Sequence, residues 1–478
     1  MQPQGTWHLV LLLPAFLTIS LSAALSPNRG GPFHAMFPRV HHDIQQGRDY
    51  GDPLFLTPYL EQGMADKARM LSEVNLPGTA INSYSGYLTV DKTYKSNMFF
   101  WFFPAMSDPK NAPVLLFLQG GPGTSSLFGL FAEMGPFYIT KDAQLMMRKT
   151  TWVSEYSMLF IDNPVGTGFS FTESDAGYAR NQTDVADNLY NALLQFFQIY
   201  PDYQKNEFYV TGESYAGKYV PALSYKIHME NPTAKFKINF KGMAIGDGLC
   251  DPLTQYAKLP EFLYHIGLID ELQRRRVGVF VDIFGAQIVE KDFLGAFKTF
   301  ETMLLGNTSY FFNVTGSNDH FNYLNTEESE EQNYYVDYLA LPEVRKAIHV
   351  GNLTFHNYTE VLDHLLEDFM KSVKPWVTTI MDNYKVLMYN GQLDIIVGAP
   401  LTENFLWSLP WSKLQQYQKA DRTVWKVNPS DTEVAGFVRQ VDNFYQVIVK
   451  GAGHILPFDQ PERAFDMIDR FVSGRGFQ

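Results

Sequence analysis

A serine set between small residues is the first feature of the chain that suggests chemistry. Residues 208–217 read FYVTGESYAG, in which strand-forming residues lead into Gly212 and Ser214 and a helix-like segment follows. A Gly-x-Ser triplet between a buried strand and a helix is typical of a nucleophile elbow, a tight turn that exposes the serine hydroxyl. Ala216 replaces the glycine of the strict pattern, but it is small enough for the turn. The pattern predicts that Ser214 is a nucleophile.

Two later residues offer the base and the acid that a serine nucleophile needs. Asp394 follows a predicted strand at residues 385–389, and His454 follows another at residues 445–449. Singly, each is as readily a turn aspartate or a core histidine. Together they have the order serine, acid, histidine that accompanies this elbow, at the same edge of a sheet. We predict that His454 accepts the proton of Ser214 and returns it to the leaving amine, and that Asp394 fixes the imidazole tautomer.

A glycine-rich loop meets the remaining requirement of acyl chemistry. Residues 118–123 read LQGGPG, and they lack the Gly-Lys-Ser/Thr ending of a phosphate-binding loop. Such a loop donates one backbone N–H to the oxyanion of a tetrahedral intermediate, and the residue after the nucleophile, here Tyr215, donates another. The loop is therefore predicted to complete an oxyanion hole.

The elements that must position these residues alternate along the chain. Apolar runs predict strands at residues 113–118, 157–161, 207–211, 242–245, 385–389 and 445–449, and aromatic-rich runs predict a strand pair at 84–90 and 98–103. Strands that are apolar throughout fit a parallel sheet covered on both faces. A helical stripe of apolar residues lies between positions 184 and 200. This alternation predicts an α/β fold with a mixed, mostly parallel, doubly wound sheet.

The strand pattern is interrupted after residue 251. From there to about residue 375 the chain is polar and mostly helical, which is the texture of a lid inserted over an active site. An arginine run at residues 274–276 could be a processing site, although a solvated helix face is favoured. The predicted segments are a signal peptide (1–22), an N-terminal arm or propeptide (23–75), the first part of the core (76–250), a cap insertion (251–375) and the second part of the core (376–478).

The composition limits the possible partners. Hydrophobic residues make up 45% and charged residues 19% of the 478 residues, which is typical of a globular protein. A net charge of -13 argues against nucleic acid and anionic membranes as partners. There is no Cys-x-x-Cys and no His-Glu-x-x-His pattern, so neither a metal nor another cofactor is expected. The sequence carries no signal of oligomeric state.

The N-terminus and the sequons point to the secretory pathway. Residues 9–21 form an apolar run followed by small residues, which predicts a signal peptide; a membrane span would need about 20 apolar residues. Cys250 is the one cysteine, so no intramolecular disulfide can form, which is unusual for a secreted chain. The predicted destination is the lysosome, the endoplasmic reticulum or the medium. Glycosylation is predicted at five Asn-x-Ser/Thr sequons, Asn181, Asn307, Asn313, Asn352 and Asn357.

Four motifs together resemble the serine carboxypeptidase family of α/β-hydrolases. They are QGGPG at residues 119–123, DNPVGTGFS at 162–170, GESYAGKYVP at 212–221, and the histidine loop GHILPFDQP at 453–461. The likeness extends over nearly the whole chain from about residue 76. The resemblance implies an exopeptidase that removes C-terminal residues from peptides and proteins through an acyl-enzyme, without a cofactor.

The resemblance also assigns roles around the nucleophile. It implies oxyanion donors at Gly121 and Tyr215, and a site for the substrate's terminal carboxylate at Gln119, Gly120, Glu133 and Glu213. Two glutamates and the carboxylate that they face cannot all be ionised. Like charges a few Å apart repel each other, so one of the groups retains a proton. We therefore predict that substrate binds best when these groups are partly protonated, which gives an acidic pH optimum. The alternative for Glu133 is a surface or capping residue.

Some positions depart from the family pattern, and other functions compete with the peptidase. Gln119 replaces the usual asparagine, Thr124 stands where many members have a disulfide cysteine, and the cap has no cysteines. An esterase or acyltransferase would keep the triad but would not need Glu133 and Glu213. A non-catalytic protein would have no reason to keep a complete triad. The carboxypeptidase is favoured over both.

Overall fold

The computed structural model describes residues 47–477, so the predicted signal peptide and the first half of the predicted arm lie outside the described residues. No helix within this range combines the length and apolarity that a membrane crossing needs. The strands in this range are β1 Glu73–Val74, β2 Ser83–Asp91, β3 Ser96–Phe103, β4 Val114–Leu118, β5 Phe137–Ile139, β6 Leu145–Met147, β7 Ser157–Ile161, β8 Phe208–Glu213, β9 Phe240–Gly246, β10 Lys385–Gly391, β11 Thr423–Trp425, β12 Gly436–Val441 and β13 Phe444–Val449.

One large sheet contains all of these strands except the β5–β6 hairpin. Its order is β1-β2-β3-β7-β4-β8-β9-β10-β13-β12-β11. The six strands from β7 to β13 in this order are parallel, and the outer strands on both sides are antiparallel. Every residue of β4, β7 and β8 is buried, as expected for parallel strands covered on both faces. The predicted mixed, mostly parallel sheet is confirmed.

The strands that carry the site were predicted closely, and the predicted pair at 84–90 and 98–103 matches β2 and β3, whereas β11 and β12 were not predicted. The six predicted apolar runs match β4, β7, β8, β9, β10 and β13 to within two residues at each end. Next to the edge strand β11, β12 alternates between buried and more exposed residues and includes the polar side chains of Arg439 and Gln440. Such a strand lacks the continuous apolar run on which the prediction relied.

Helices cover both faces of the sheet and form the insertion. They are α1 Thr57–Glu61, α2 Ala65–Leu71, α3 Gln182–Ile199, α4 Ala216–Glu230, α5 Pro252–Tyr256, α6 Leu259–His265, α7 Glu271–Val289, α8 Phe293–Leu304, α9 Tyr310–Thr315, α10 Tyr334–Leu339, α11 Pro342–Ala347, α12 Thr359–Phe369, α13 Lys374–Asn383, α14 Ala399–Trp407, α15 Leu414–Tyr417, α16 Leu456–Asp459 and α17 Pro461–Ser473. Leu189 of α3 and Val220 of α4 belong to the core on one face of the sheet, and Phe471 of α17 belongs to the core on the other.

The insertion between β9 and β10 is helical, with helices α5 to α13 in succession. Helix α7 begins with a capping box in which Asp270 and Gln273 bond to each other's backbone N–H groups. Arg274 and Arg275 each lie 2.8 Å from Glu271 of the same helix. The arginine run therefore lies in a regular helix, as the favoured interpretation predicts, and Arg274 and Arg275 have carboxylate partners.

The described part of the N-terminal arm packs on the core. Leu56 and Ala68 are fully buried. The backbone N–H of Leu54 donates to the carbonyl of His349 at 3.1 Å, and the N–H of Tyr87 donates to the carbonyl of Leu54 at 2.9 Å. Removal of residues up to position 75 would strip these contacts from the sheet and the insertion.

Candidate active site

Ser214 occupies a strained turn between β8 and α4. Its φ is +61°, a conformation that costs a non-glycine residue about 1–3 kcal/mol and is concentrated at functional sites. A Cβ added to Gly212 would lie 2.6 Å from the Leu118 carbonyl oxygen and 2.9 Å from the Ala216 Cβ. Both flanking residues must therefore be small, which explains why alanine is accepted at position 216.

His454 and Asp394 meet beneath this turn. His454 Nδ1 lies 2.8 Å from Asp394 Oδ2, and both side chains are fully buried. Burial lowers the pKa of His454, but the charge of Asp394 and its hydrogen bond outweigh burial, so the pKa lies above its ordinary value. His454 Nε2 has no hydrogen-bond partner within residues 47–477, but His454 and Ser214 line the same cleft. Contacts of this kind often tighten only when substrate binds.

The glycine-rich loop touches the elbow directly. A Cβ on Gly120 would lie 2.5 Å from the backbone nitrogen of Tyr215, so only glycine allows this approach. Gly121 has a φ of +109°. In the described part of the chain, neither the N–H of Gly121 nor that of Tyr215 donates to a protein acceptor. Both groups are therefore available to an oxyanion.

Asp162 holds this loop, a role that the sequence did not reveal. Its Oδ1 accepts hydrogen bonds from Ser125 Oγ at 2.5 Å and the Ser126 N–H at 3.1 Å, and its Oδ2 accepts from the Phe169 N–H at 2.8 Å. Burial raises the pKa of Asp162 to about 7 despite these three donors. The acid at the end of β7, at the start of the 162–170 motif, was the available signal.

Glu133 and Glu213, hereafter the glutamate pair, share the amide of Gln119. Gln119 Nε2 donates to one carboxyl oxygen of each at 3.0 Å, and its Oε1 accepts from the Gly120 N–H at 3.0 Å. Burial raises the pKa of Glu213 to about 7. Burial and then the charge of Glu213 raise the pKa of Glu133 well above its ordinary value. The pair therefore keeps a proton in mildly acidic solution.

A cleft of about 760 Å³ brings most of the predicted site residues together. Glu133 lies behind Gln119 instead of on the cleft wall, and it is 1% exposed. The alternative that Glu133 is a surface residue is therefore wrong. A second, smaller cavity of about 390 Å³ also reaches Ser214 and has apolar and aromatic walls. The predicted residues on the larger cleft are Gln119, Gly120, Gly121, Glu213, Ser214 and His454.

Asp247 is a further acid that the sequence analysis missed. Its Oδ1 accepts hydrogen bonds from the Gly391 N–H at 3.0 Å and from Asn390 Nδ2 at 3.2 Å. Asp247, Asp394 and His454 each have one polar atom within 4.8 Å of those of the other two, which is close enough for the three to bind a cation together. Asp394 and His454, however, are already joined by a direct hydrogen bond between Oδ2 and Nδ1. We call Asp247 and Asp394 the aspartate pair.

The insertion also contacts the histidine. The ring of Phe321 is stacked on the His454 imidazole with centroids 4.8 Å apart and an 11° angle between planes. The Phe321 carbonyl accepts the His454 backbone N–H at 2.6 Å. No motif in the sequence indicated this contact, because it joins residues 133 positions apart.

The sequons occupy different environments. Asn307, Asn313 and Asn352 are exposed, whereas Asn357 is half-buried and lines the cleft. Asn181 caps α3, since its Oδ1 accepts hydrogen bonds from the backbone N–H groups of Thr183 and Asp184. Glycosylation at all five positions stays a prediction.

Comparisons with known proteins agree with this geometry. The family model described as "Serine carboxypeptidase" matches residues 74–474. The chain is 53% identical over 454 residues to "Probable serine carboxypeptidase CPVL" of Homo sapiens, covering 94% of this chain and 95% of that protein. It is 47% identical to "Venom serine carboxypeptidase" of Apis mellifera (90% and 92% covered) and 44% identical to "Vitellogenic carboxypeptidase" of Aedes aegypti (98% of each covered).

A solved structure supports the fold. The crystal structure of Kex1(delta)p, a prohormone-processing carboxypeptidase from Saccharomyces cerevisiae, superposes with a TM-score of 0.75. It covers 85% of this chain and 96% of its own, at 21% identity. The sheet and its covering helices are thus those of an α/β-hydrolase. The chain belongs to the serine carboxypeptidase family, and it is a hydrolase that removes residues from the C-termini of peptides.

Proposed function

We propose that Ser214, His454 and Asp394 carry out this hydrolysis. His454 Nε2 takes the Ser214 proton as Oγ bonds to the scissile carbonyl carbon, and the N–H groups of Gly121 and Tyr215 bind the oxyanion. The imidazolium then protonates the amine as the C–N bond breaks. Water attacks the acyl-enzyme by the same route and releases the acid. The observation that carries the proposal is the 2.8 Å bond between buried Asp394 and a His454 that shares a cleft with Ser214.

We propose that the glutamate pair and Gln119 bind the terminal carboxylate of the substrate. Glu213 Oε2 is buried and has no hydrogen-bond donor within the described residues. When Glu213 is protonated, it can donate to a carboxylate in the cleft, whereas ionised Glu213 would repel it. Glu133 lies one layer deeper, where its hydrogen bond to Gln119 helps to orient the amide.

An acidic pH optimum follows from this binding mode. The pKa of Glu213 is raised to about 7, so the donor is present below that pH and is lost as the pH rises through it. Substrate binding is therefore expected to weaken as the pH rises through about 7. At the acid end, protonation of His454 removes the base. The charge of Glu213 is one of the causes that raise the pKa of His454, so protonation of Glu213 lowers this limit and favours a range below about pH 7 in which the donor and the base coexist.

The test is mass spectrometry of a free-acid peptide, its C-terminally amidated twin and a Ser214→Ala control at about pH 5, where the raised carboxyl pKa values keep the site protonated. Stepwise loss of residues from the free-acid peptide alone, absent in the variant, is the expected result. Equal trimming of both peptides would refute the carboxylate site. No trimming of either would refute the catalytic assignment, provided that an active-site serine probe shows no labelling.

We further propose that the insertion acts as a cap, because its residues Phe321, Glu328 and Tyr335 line the cleft.

We also propose that the protein enters the secretory pathway, because three sequons are exposed. The Apis mellifera relative is named a venom protein, and venom is secreted. A mobility shift of the native protein after endoglycosidase treatment is expected, whereas an unshifted protein would contradict passage through this pathway.

A further inference from the structure

Asp247 is a buried acid that the reaction outlined above does not use. It directly follows β9 with a φ of +44°, and its side chain is fully buried. The Gly391 N–H and the Asn390 amide satisfy its Oδ1. Oδ2 receives no hydrogen bond from any N–H or hydroxyl donor in residues 47–477. A buried carboxyl oxygen without a donor is costly unless it carries a proton of its own.

The neighbour of this oxygen is the carboxyl group of Asp394. Oxygens of the two side chains lie within 4.8 Å of each other. Two buried carboxylates this close repel each other strongly, so one of the two groups retains a proton. The protonated carboxyl group can then donate a hydrogen bond to its ionised neighbour. The aspartate pair therefore holds one shared proton.

The surroundings place this proton on Asp247. Asp394 already accepts hydrogen bonds from His454 at 2.8 Å and from the backbone N–H groups of Ile396 at 2.9 Å and Val397 at 3.3 Å, which stabilise its charge. Burial and then the charge of Asp394 raise the pKa of Asp247 well above its ordinary value. The other titratable groups that face the pair from the surrounding elements are Glu213, Tyr256, Asp319, His320, Tyr389 and His454.

We propose that Asp247 is a positioning residue that stays protonated and donates a hydrogen bond to Asp394. The inference rests on the proposed roles of Asp394 and His454. The donated bond fixes the Asp394 carboxylate beneath the imidazole without adding a second negative charge. Ionised Asp247 would instead raise the pKa of His454 further, and an imidazole that is already protonated cannot take the Ser214 proton.

Two variants separate this role from simple packing. Asp247→Asn keeps an acceptor for Gly391 and replaces the carboxyl O–H with an amide N–H donor to Asp394. Asp247→Leu removes both. Because hydrogen bonds to charged groups contribute about 1.5–3 kcal/mol, we expect kcat to fall about 10- to 100-fold in the leucine variant and to stay within about threefold in the asparagine variant. KM for a free-acid peptide should be unchanged in both.

Infrared spectroscopy supplies a readout that does not depend on activity. At about pH 8, where ordinary aspartates are ionised, the wild-type protein should show the carbonyl band of a protonated carboxyl group that Asp247→Asn removes and Glu133→Gln retains. The band would also be read if peptide hydrolysis failed, so this failure is distinguishable from failure of the catalytic assignment. An asparagine variant that is as impaired as the leucine variant, or that retains the band, would overturn the proposal. Full activity of the leucine variant would also overturn it.

Discussion

The active site contains two buried carboxyl pairs that differ in what surrounds their proton. In the glutamate pair, the neutral amide of Gln119 bridges both acids, and Glu213 lies on the cleft wall. In the aspartate pair, both acids lie behind His454 and away from the wall. Their donors are the Asn390 amide, backbone N–H groups and the imidazole itself.

This difference separates binding from the proton transfer. Protonated Glu213 can donate a hydrogen bond to the substrate, so its protonation should control KM and make KM depend on pH. The proton of Asp247 has access to no substrate group, so it should control kcat through His454. Both pairs bring two buried acids close together, but the glutamate pair is predicted to affect KM and the aspartate pair to affect kcat.

Replacement of Asp394 should have the largest effect. Asp394→Asn would donate to His454 Nδ1 and hold the wrong imidazole tautomer, so kcat should fall by about 10⁴-fold, with little change in KM. Steady-state hydrolysis of a free-acid peptide measures both. Asp442→Asn, at a surface aspartate paired with Lys413, is the matched control and should behave as wild type. A main effect on KM would erase the distinction between the two pairs.

Glu213→Gln should change the pH dependence of binding. In the wild type, KM should rise about tenfold as the pH rises through about 7, because the donor becomes a second anion. The variant has an uncharged donor at every pH, so its KM should stay flat and should be the lower of the two at about pH 8. Michaelis–Menten series across this range test the difference. A variant that keeps the wild-type pH profile would exclude Glu213 as the titrating group.

Phe321→Ala should lower kcat about fivefold, because loss of the stacked ring loosens the imidazole by about 1 kcal/mol. The effect on kcat should exceed the effect on KM, since the ring is stacked on His454 and does not belong to the glutamate pair. Phe280→Ala removes another half-buried phenylalanine of the insertion, one that packs on Tyr310, and serves as the control. Equal losses in both variants, measured with matched melting curves, would indicate a general effect on the insertion.

Glu133→Gln should have the smallest effect, about twofold in KM at acidic pH, because its raised pKa means that the native side chain is already neutral there. The glutamine oxygen can still accept from Gln119 Nε2. Titration of KM between mildly acidic and neutral pH measures the effect. A rise in KM of about tenfold or more at acidic pH would show that Glu133 acts as an anion.

The positions of the site residues were predictable wherever they depended on short motifs at the ends of buried strands. Ser214, Asp394 and His454 each follow a continuous apolar run, and parallel strands place such residues at one edge. The same reasoning applies to Asp247, which directly follows β9, the neighbour of β10. It was missed because no motif calls for a second aspartate and because the proximity of the two acids appears only in the folded chain.

Other features could not be obtained from the sequence, because they depend on long-range packing. The depth of Glu133 behind Gln119 depends on how the segment after β4 folds against β8. The contact of Phe321 with His454 depends on how the insertion lies on the core, and hydrophobic periodicity contains no information about that. The edge strand β11 and its neighbour β12 were missed for another reason, since they are only partly buried.

The contacts of residues 320–323 determine which parts of this enzyme could be exchanged with a relative. Four backbone hydrogen bonds join this stretch to the loops that carry Asp394 and His454, through the carbonyls of His320, Phe321 and Leu393. A chimera that replaced the whole insertion would therefore leave those loops without their partners, even if the insertion taken from the relative folded well. Helix α7, with its exposed Val279, makes no such contact and is therefore the natural place to join the two sequences of a chimera.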